Sequence, residues 1–461
     1  MLPDLSRLSH LKFGRETSDG VYCLRPTRVL EAGLAFGAHG KRERESPEVT
    51  VVAELLQFEL PELPDDVLLM AAVGMVSDDP CGKIWEVCLI STEFANLCRS
   101  DGLWKLLCEV KGYDREDRMT GYHSVDPSTP MRWKAQFVKW CGLCIMTRTA
   151  LRRAVSQLLE NDPTGAAELG PYGPIGSWDV SMVTDMSVMF QGETSFNGDV
   201  SKWSFPKVTN MSAMFAGATS FNGDVSRWTF PEVTNMYGMF YGATRFNGDV
   251  SRWTFPEVTD LSNMFQDATS FNGDVSNWTF PKVTDMSNMF QDATSFDGDV
   301  SKWTFPEVTY MINMFQGATS FDGDVSEWTF PEVTNMSGMF YEATSFNGDV
   351  SNWTFPKVTD MKFMFAGATR FNGDVAKWTF PKVVDMSGMF RGATSFNGGV
   401  SNWTFPEVTD MIYMFRGATS FNGDVSKWPR PRFIRVRRMF ENATSFDGDL
   451  PDWMRPEDVF G

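Results

Sequence analysis

The chain is 461 residues long, 42% hydrophobic and 22% charged, a composition that suits a folded protein rather than a disordered one. Its 59 acidic against 41 basic residues leave a net charge of −18, which repels phosphate backbones and anionic lipid and argues against nucleic-acid and membrane-surface binding. With 28 Met, 39 Phe and 16 Trp but 3 His, the core is expected to be aromatic and thioether-rich rather than built on Leu and Ile.

The opening segment MLPDLSRLSHLKFGRETSDG has no apolar run of secretory-signal length, and no stretch of about 18 apolar residues follows it. All seven Cys lie at or before Cys144, a distribution unlike that of a secreted disulfide scaffold. The expectation is an intracellular protein. Residues 1–50 are polar and aperiodic, ending in GKRERESPEVT, and read as largely disordered.

Order is expected from Val51. Residues 51–145 read as a helical domain, with Pro64-Asp65-Asp66 heading one apolar run and IWEVCLISTEFANLCRSDGLWKLLCEVKGY carrying further helical spacing. Leu63, Pro64, Val67 and Leu68, then Ile90, Ser91, Phe94, Leu97, Leu103 and Trp104, resemble the two ends of an F-box. The middle, VGMVSDDPCGKIWEVC, departs from the Leu-rich pattern of that family, and Thr92-Glu93 stands where a basic residue is commoner. The resemblance implies binding of a Skp-type adaptor of a cullin–RING ubiquitin ligase through Leu63, Pro64, Val67, Leu68, Ile90, Phe94, Leu97 and Trp104. Trp140-Cys141-Gly142-Leu143-Cys144 is similar to a thioredoxin redox motif, but no βαβ pattern surrounds it, and KAQFVKWCGLC reads as a helix ending near Gly142. His123 has no partner His in reach and reads as a loop residue.

Residues 146–195 begin with a helical pattern in TALRRAVSQLLEN and slide into a degenerate first repeat, forming an N-terminal cap. From 196 to 445 ten units of 25 residues follow without insertion or deletion, Phe196, Phe221 and Phe246 marking the period. Within a unit, Trp203 and Phe205 alternate as in a short strand, Pro206 turns the chain, and Met211, Met214, Phe215 and Ala218 stand at the spacing of a short helix or 3₁₀ turn. Stacked at strand spacing of about 4.8 Å, ten such coils would extend roughly 50 Å. Residues 446–461 read as the C-terminal cap. The recurring W-x-x-x-x-V-T-(D/N)-M-x-x-M-F-x-x-A-x-x-F-(N/D)-G-D-V-S resembles the BspA-like, leucine-rich-repeat-related surface-protein repeats over about 150–455. The resemblance implies protein contact or adhesion without catalysis. The fold class expected is α+β, a helical domain followed by a right-handed, LRR-like β-solenoid.

No His or Cys occurs beyond Cys144, so Cys/His pairs, Ser-His-Asp triads and ordinary zinc or iron sites are ruled out for the array, and neither enzymatic activity nor a cofactor is expected there. The column Asp199, Asp224, Asp249 and onward has two readings: calcium held between coils, or carboxylates accepting backbone hydrogen bonds in their own NGDV turns. Gly399 breaks that column without disturbing the period, which favours the turns.

Side chains that change from coil to coil mark the solvated positions. Among them Tyr237, Tyr241, Tyr310, Tyr341, Phe363, Arg391, Tyr413 and Arg416 are the residue types that anchor interfaces, and drift on a solvated face would produce the same variation. Arg430, Arg432, Arg435, Arg437 and Arg438 read as the basic face of a degenerate last repeat. The expectation is a monomeric, non-catalytic adaptor that holds a protein substrate along the solenoid. A structural or adhesive scaffold is the alternative.

Overall fold

The computed structural model describes residues 148–166, 174–431 and 434–461. The F-box-like segment with Leu63, Pro64, Val67, Leu68, Ile90, Phe94, Leu97 and Trp104 lies outside the described residues, as do residues 1–50, His123 and the Trp140–Cys144 motif.

Helix α1 (Arg148–Asn161) puts Leu151, Ala154, Val155, Leu158 and Leu159 inside, the i, i+3, i+4, i+7, i+8 stripe of a helix with one buried face. The chain leaves it through Gly165, whose φ of 68° and close approach both require glycine: a Cβ there would lie 2.5 Å from the Phe196 ring. A 3₁₀ turn, Ile175–Ser177, then delivers the chain to the first coil.

The coils up to Phe421 bury the same columns of side chains. In one unit Trp203, Phe205, Val208, Met211, Met214, Phe215, Ala218, Phe221 and Val225 are at most 3% exposed, while Lys202, Ser204, Lys207 and Thr209 alternate outward. Like stacks on like. Trp278, Trp303 and Trp328 are stacked at 6.3 Å, and Phe271, Phe296 and Phe321 at 5.9 and 5.8 Å. Phe280 meets Trp303 edge-on at 5.0 Å, the arrangement in which ring-edge hydrogens point at a π face. From Trp228 to Trp428 each indole donates from Nε1 to a Val carbonyl of the preceding coil, as Trp303 does to Val275 at 2.9 Å, so the largest core side chain carries no unpaired polar atom. In the first rung Ile175 supplies that carbonyl, to Trp203 at 3.0 Å.

Strand-like bridging is parallel and falls on one residue per coil, from Asp185 with Asn210 to Asp410 with Arg435. The strand expected over Trp203–Phe205 is absent; the pairing falls five residues later, beyond Pro206. Of the short helix or 3₁₀ turn expected over Met211–Ala218, the structure has the tighter form, a run of turns closed between residues three apart. Alternate N–H groups there leave the turn and bond to the next coil: Met211 to Asn235, Ala213 to Tyr237, Phe215 to Met239 and Gly217 to Tyr241, all within 2.9 Å. The intervening N–H groups of Met214, Ala216 and Ala218 close three-residue turns on Met211, Ala213 and Phe215. An α-helix about 10 Å across could not repeat on coils whose rings stack at this separation, whereas a flat turn run can. Its reversals need left-handed backbone, found at Ala213 (φ 53°) and Gly217 (φ 71°) and at the matching positions of other coils.

Both ends of these bonded columns are covered. At the carbonyl end Arg148 donates from its guanidinium to the Ser187 carbonyl at 2.9 Å and pairs with Asp185 at 3.3 Å. At the N–H end a short helix, α2 (Pro456–Val459), turns the Asp458 and Val459 carbonyls onto the N–H groups of Arg438 and Phe440. Phe460 covers the last rings, 6.0 Å from Phe440 and 6.2 Å from Phe446. Aligned peptide dipoles favour a cation at the carbonyl end, where Arg148 sits.

Candidate protein-interaction face

The turn run and the bridge residue before it form one face of the stack, and all eight array positions singled out from the sequence fall on it. Tyr237, Tyr241 and Tyr310 are 46%, 42% and 45% exposed. Tyr341, Phe363, Tyr413 and Arg416 are half-buried, and Arg391 is exposed.

Three of the eight converge. Tyr341 and Phe363, from successive coils, meet edge-on with ring centroids 6.5 Å apart, and with Arg391 they border a groove of about 490 Å³. Tyr413 and Arg416 form a separate pair, the guanidinium carbon 5.2 Å from the ring centre, and Arg416 also forms an ion pair with Glu441 at 2.9 Å. Tyr237 and Tyr241 stand in an earlier coil, and Tyr310 lies outside the groove lining, although Ile312, Asn313 and Gln316 of its own coil line it. The sequence reading did not single out Lys362, Asn313 and Asn335 there, and placed Gln316 only among the variable solvated positions. Burial and a hydrogen bond with Glu342 raise the Tyr341 hydroxyl above its ordinary pKa, the hydrogen bond being the larger cause.

The Asp column is a column of turns. Asp199, Asp224, Asp249, Asp274, Asp299, Asp324, Asp349, Asp374 and Asp424 each accept the backbone N–H two residues on at 2.8–2.9 Å. The Ser hydroxyl and that N–H hold Asp199, Asp224, Asp249, Asp299 and Asp424 below the usual carboxylate range. Among the described residues no group of three or more His, Cys, Asp or Glu converges as a metal site would require. A second set of Asx side chains, at the bridge position of every coil from Asp185 to Asp410 except that of Tyr310, does the same work, as when Asn235 accepts the Tyr237 N–H at 2.9 Å. Asn197, Asn222 and Asn247 stitch coil to coil, each Oδ1 accepting the N–H of its counterpart 25 residues on.

The charged track after the proline is paired along the stack, Lys282 with Glu257 and Lys357 with Glu332. At the C-terminal end Arg435 pairs with Asp410, whose carboxyl burial pushes upward.

Near-identical coils bonded each to the next make this a tandem-repeat protein. The chain belongs to the family described as Mycoplasma protein of unknown function, DUF285, which matches residues 165–278, 259–378 and 368–459, well over half its length. No curated protein and no solved structure matches it.

Proposed function

We propose that the protein is a non-catalytic interaction protein whose repeat array, read as an LRR-like solenoid, holds a protein partner along the turn face. The observation that carries this is the gathering of variable aromatic and Arg side chains on one face of an otherwise repetitive stack, with Tyr341, Phe363 and Arg391 brought to one groove. A stack bonded at every coil loses little conformational entropy on docking, so a few anchors suffice for specific binding. The absence of His and Cys beyond Cys144 supports a role without chemistry.

The F-box resemblance at Leu63-Pro64 and Phe94–Trp104 supports a finer reading, in which residues 51–145 recruit a Skp-type adaptor and the array presents a substrate for ubiquitin transfer by the rest of the ligase. The test is binding of the full chain to a purified Skp-type adaptor, against a Pro64→Ala/Leu68→Ala variant. Saturable binding that the variant loses is expected. No binding at tens of micromolar leaves the structural or adhesive BspA-like scaffold as the better reading.

A further inference from the structure

The groove beside Tyr341 has three features that a solvated face under drift does not require. The first is backbone strain. Phe363 holds φ at 56°, in the left-handed region, at a column position where Gly and Asn are the commonest residues and where Val188, Ala213, Tyr413 and Arg438 hold the same conformation. A bulky side chain adopts that conformation only at a cost, and such residues cluster where the strained side chain serves a function. Its ring earns little packing for this: it is half-exposed, lying over Gly388 and edge-on to Tyr341.

The second feature is size. The groove runs past Gly338, over which the Asn313 side chain lies, so that its amide joins the two rings along the border. A volume of about 490 Å³ falls within the range of roughly 300–1,000 Å³ typical of ligand clefts.

The third is charge. No Asp or Glu lines the groove, although the chain carries a net −18, and its two ionised lining groups, Lys362 and Arg391, are both cations. Lys362 shares its charge with Asp360 at 3.2 Å. Arg391 makes no ion pair among the described residues. The amides of Asn313, Gln316 and Asn335 add N–H donors to the same lining.

We infer that this groove docks an extended acidic segment of a partner protein, a carboxylate meeting Arg391 and Lys362 while an adjacent apolar side chain lies against Tyr341 and Phe363. The inference rests on the interaction-protein reading above and supplies its partner chemistry at one address. Acidic rather than basic partners are selected through Arg391, the lining cation without an ion pair among the described residues, since Lys362 is paired with Asp360 and Glu342 is bonded to the Tyr341 hydroxyl.

Three fluorescein-labelled peptides in a Ser/Gly frame, centred on Glu-Phe-Glu, Gln-Phe-Gln and Lys-Phe-Lys, are titrated with the full chain by fluorescence anisotropy. The Glu-Phe-Glu peptide is expected to bind about tenfold or more tighter than the Gln peptide, and Arg391→Glu to abolish that difference. Raised salt is expected to weaken the Glu peptide selectively. Phe363→Gly, which puts the commoner residue of that column in place, is expected to weaken the peptide while leaving the urea midpoint no lower than in the parent chain. Equal binding of the three peptides, unchanged binding by Arg391→Glu, or no saturable binding at millimolar chain overturns the proposal. So does loss of a dimer on Arg391→Glu in sedimentation velocity, which would make the groove a contact between copies. Adaptor binding reports on residues 51–145 alone, so its failure beside a positive peptide result removes the ligase reading and leaves the groove standing.

Discussion

Replacing Trp303 by Phe tests whether the indole column is what joins one coil to the next. Trp303 is 1% exposed, stacked 6.3 Å from both Trp278 and Trp328, and donates from Nε1 to the Val275 carbonyl at 2.9 Å. Phe keeps an aromatic ring but leaves a void beside two neighbours, a loss of about 1–2 kcal/mol. The hydrogen bond adds about 1 kcal/mol rather than more, because Val275 also accepts the Trp278 N–H and is not orphaned. The sum is about 2–3 kcal/mol. In a stack whose stability is carried by contacts between neighbours, a weak central rung lowers the urea midpoint and loosens cooperation between the halves. Trp453→Phe is the control: that indole is half-buried in the last coil, with one neighbouring rung, and its loss is expected to be about 1 kcal/mol or less. Urea unfolding followed by circular dichroism reads both. A loss below about 0.5 kcal/mol at 303, or equal losses at 303 and 453, would refute the role given to the indole bonds.

Further outcomes follow from the backbone and from the carboxylates. Gly242→Ala, with φ at 65° and nothing nearer than 3.8 Å to the new Cβ, should cost only left-handed strain of about 1 kcal/mol. Gly388→Ala meets the Phe363 ring at 2.3 Å and should cost visibly more, with the excess relieved in the Phe363→Gly/Gly388→Ala double variant; additive losses would refute the contact. Asp199, Asp224, Asp249, Asp299 and Asp424 have folded pKa values below their unfolded ones, so their contribution is full above about pH 4 and is lost as pH falls through the folded values. Asp267 runs the other way, raised by burial first and by Asp292 second. Asp267→Asn should therefore raise the urea midpoint at pH 7, by an amount that shrinks as pH drops through the folded pKa of Asp267; a gain that grows on acidification would contradict this.

The 25-residue period, the inward residues and the need for covered ends were legible because identical coils must bury identical side chains, and burial leaves an apolar mark at each repeat. Trp203, Met214 and Phe215 were placed inside on that ground, and they are. The turn role of the Asp column was legible too, as one of two readings, since Asp two residues before an available N–H is a local arrangement. Local pattern left a short helix and a 3₁₀ turn both open at Met211–Ala218. The spacing i, i+3, i+4, i+7 describes a helix face, and it equally describes a flat turn run whose left-handed residues return the same side chains inward.

What the sequence determined by itself is the repeat and its core, set by which side chains avoid water. The tertiary structure decided how the backbone is satisfied: coils a ring-stack apart leave no room for a helix, so alternate N–H groups turn to the next coil. It also decided which surface residues meet. Tyr341, Phe363 and Arg391 are up to 50 positions apart in the chain and become neighbours because each coil returns the chain to the same face.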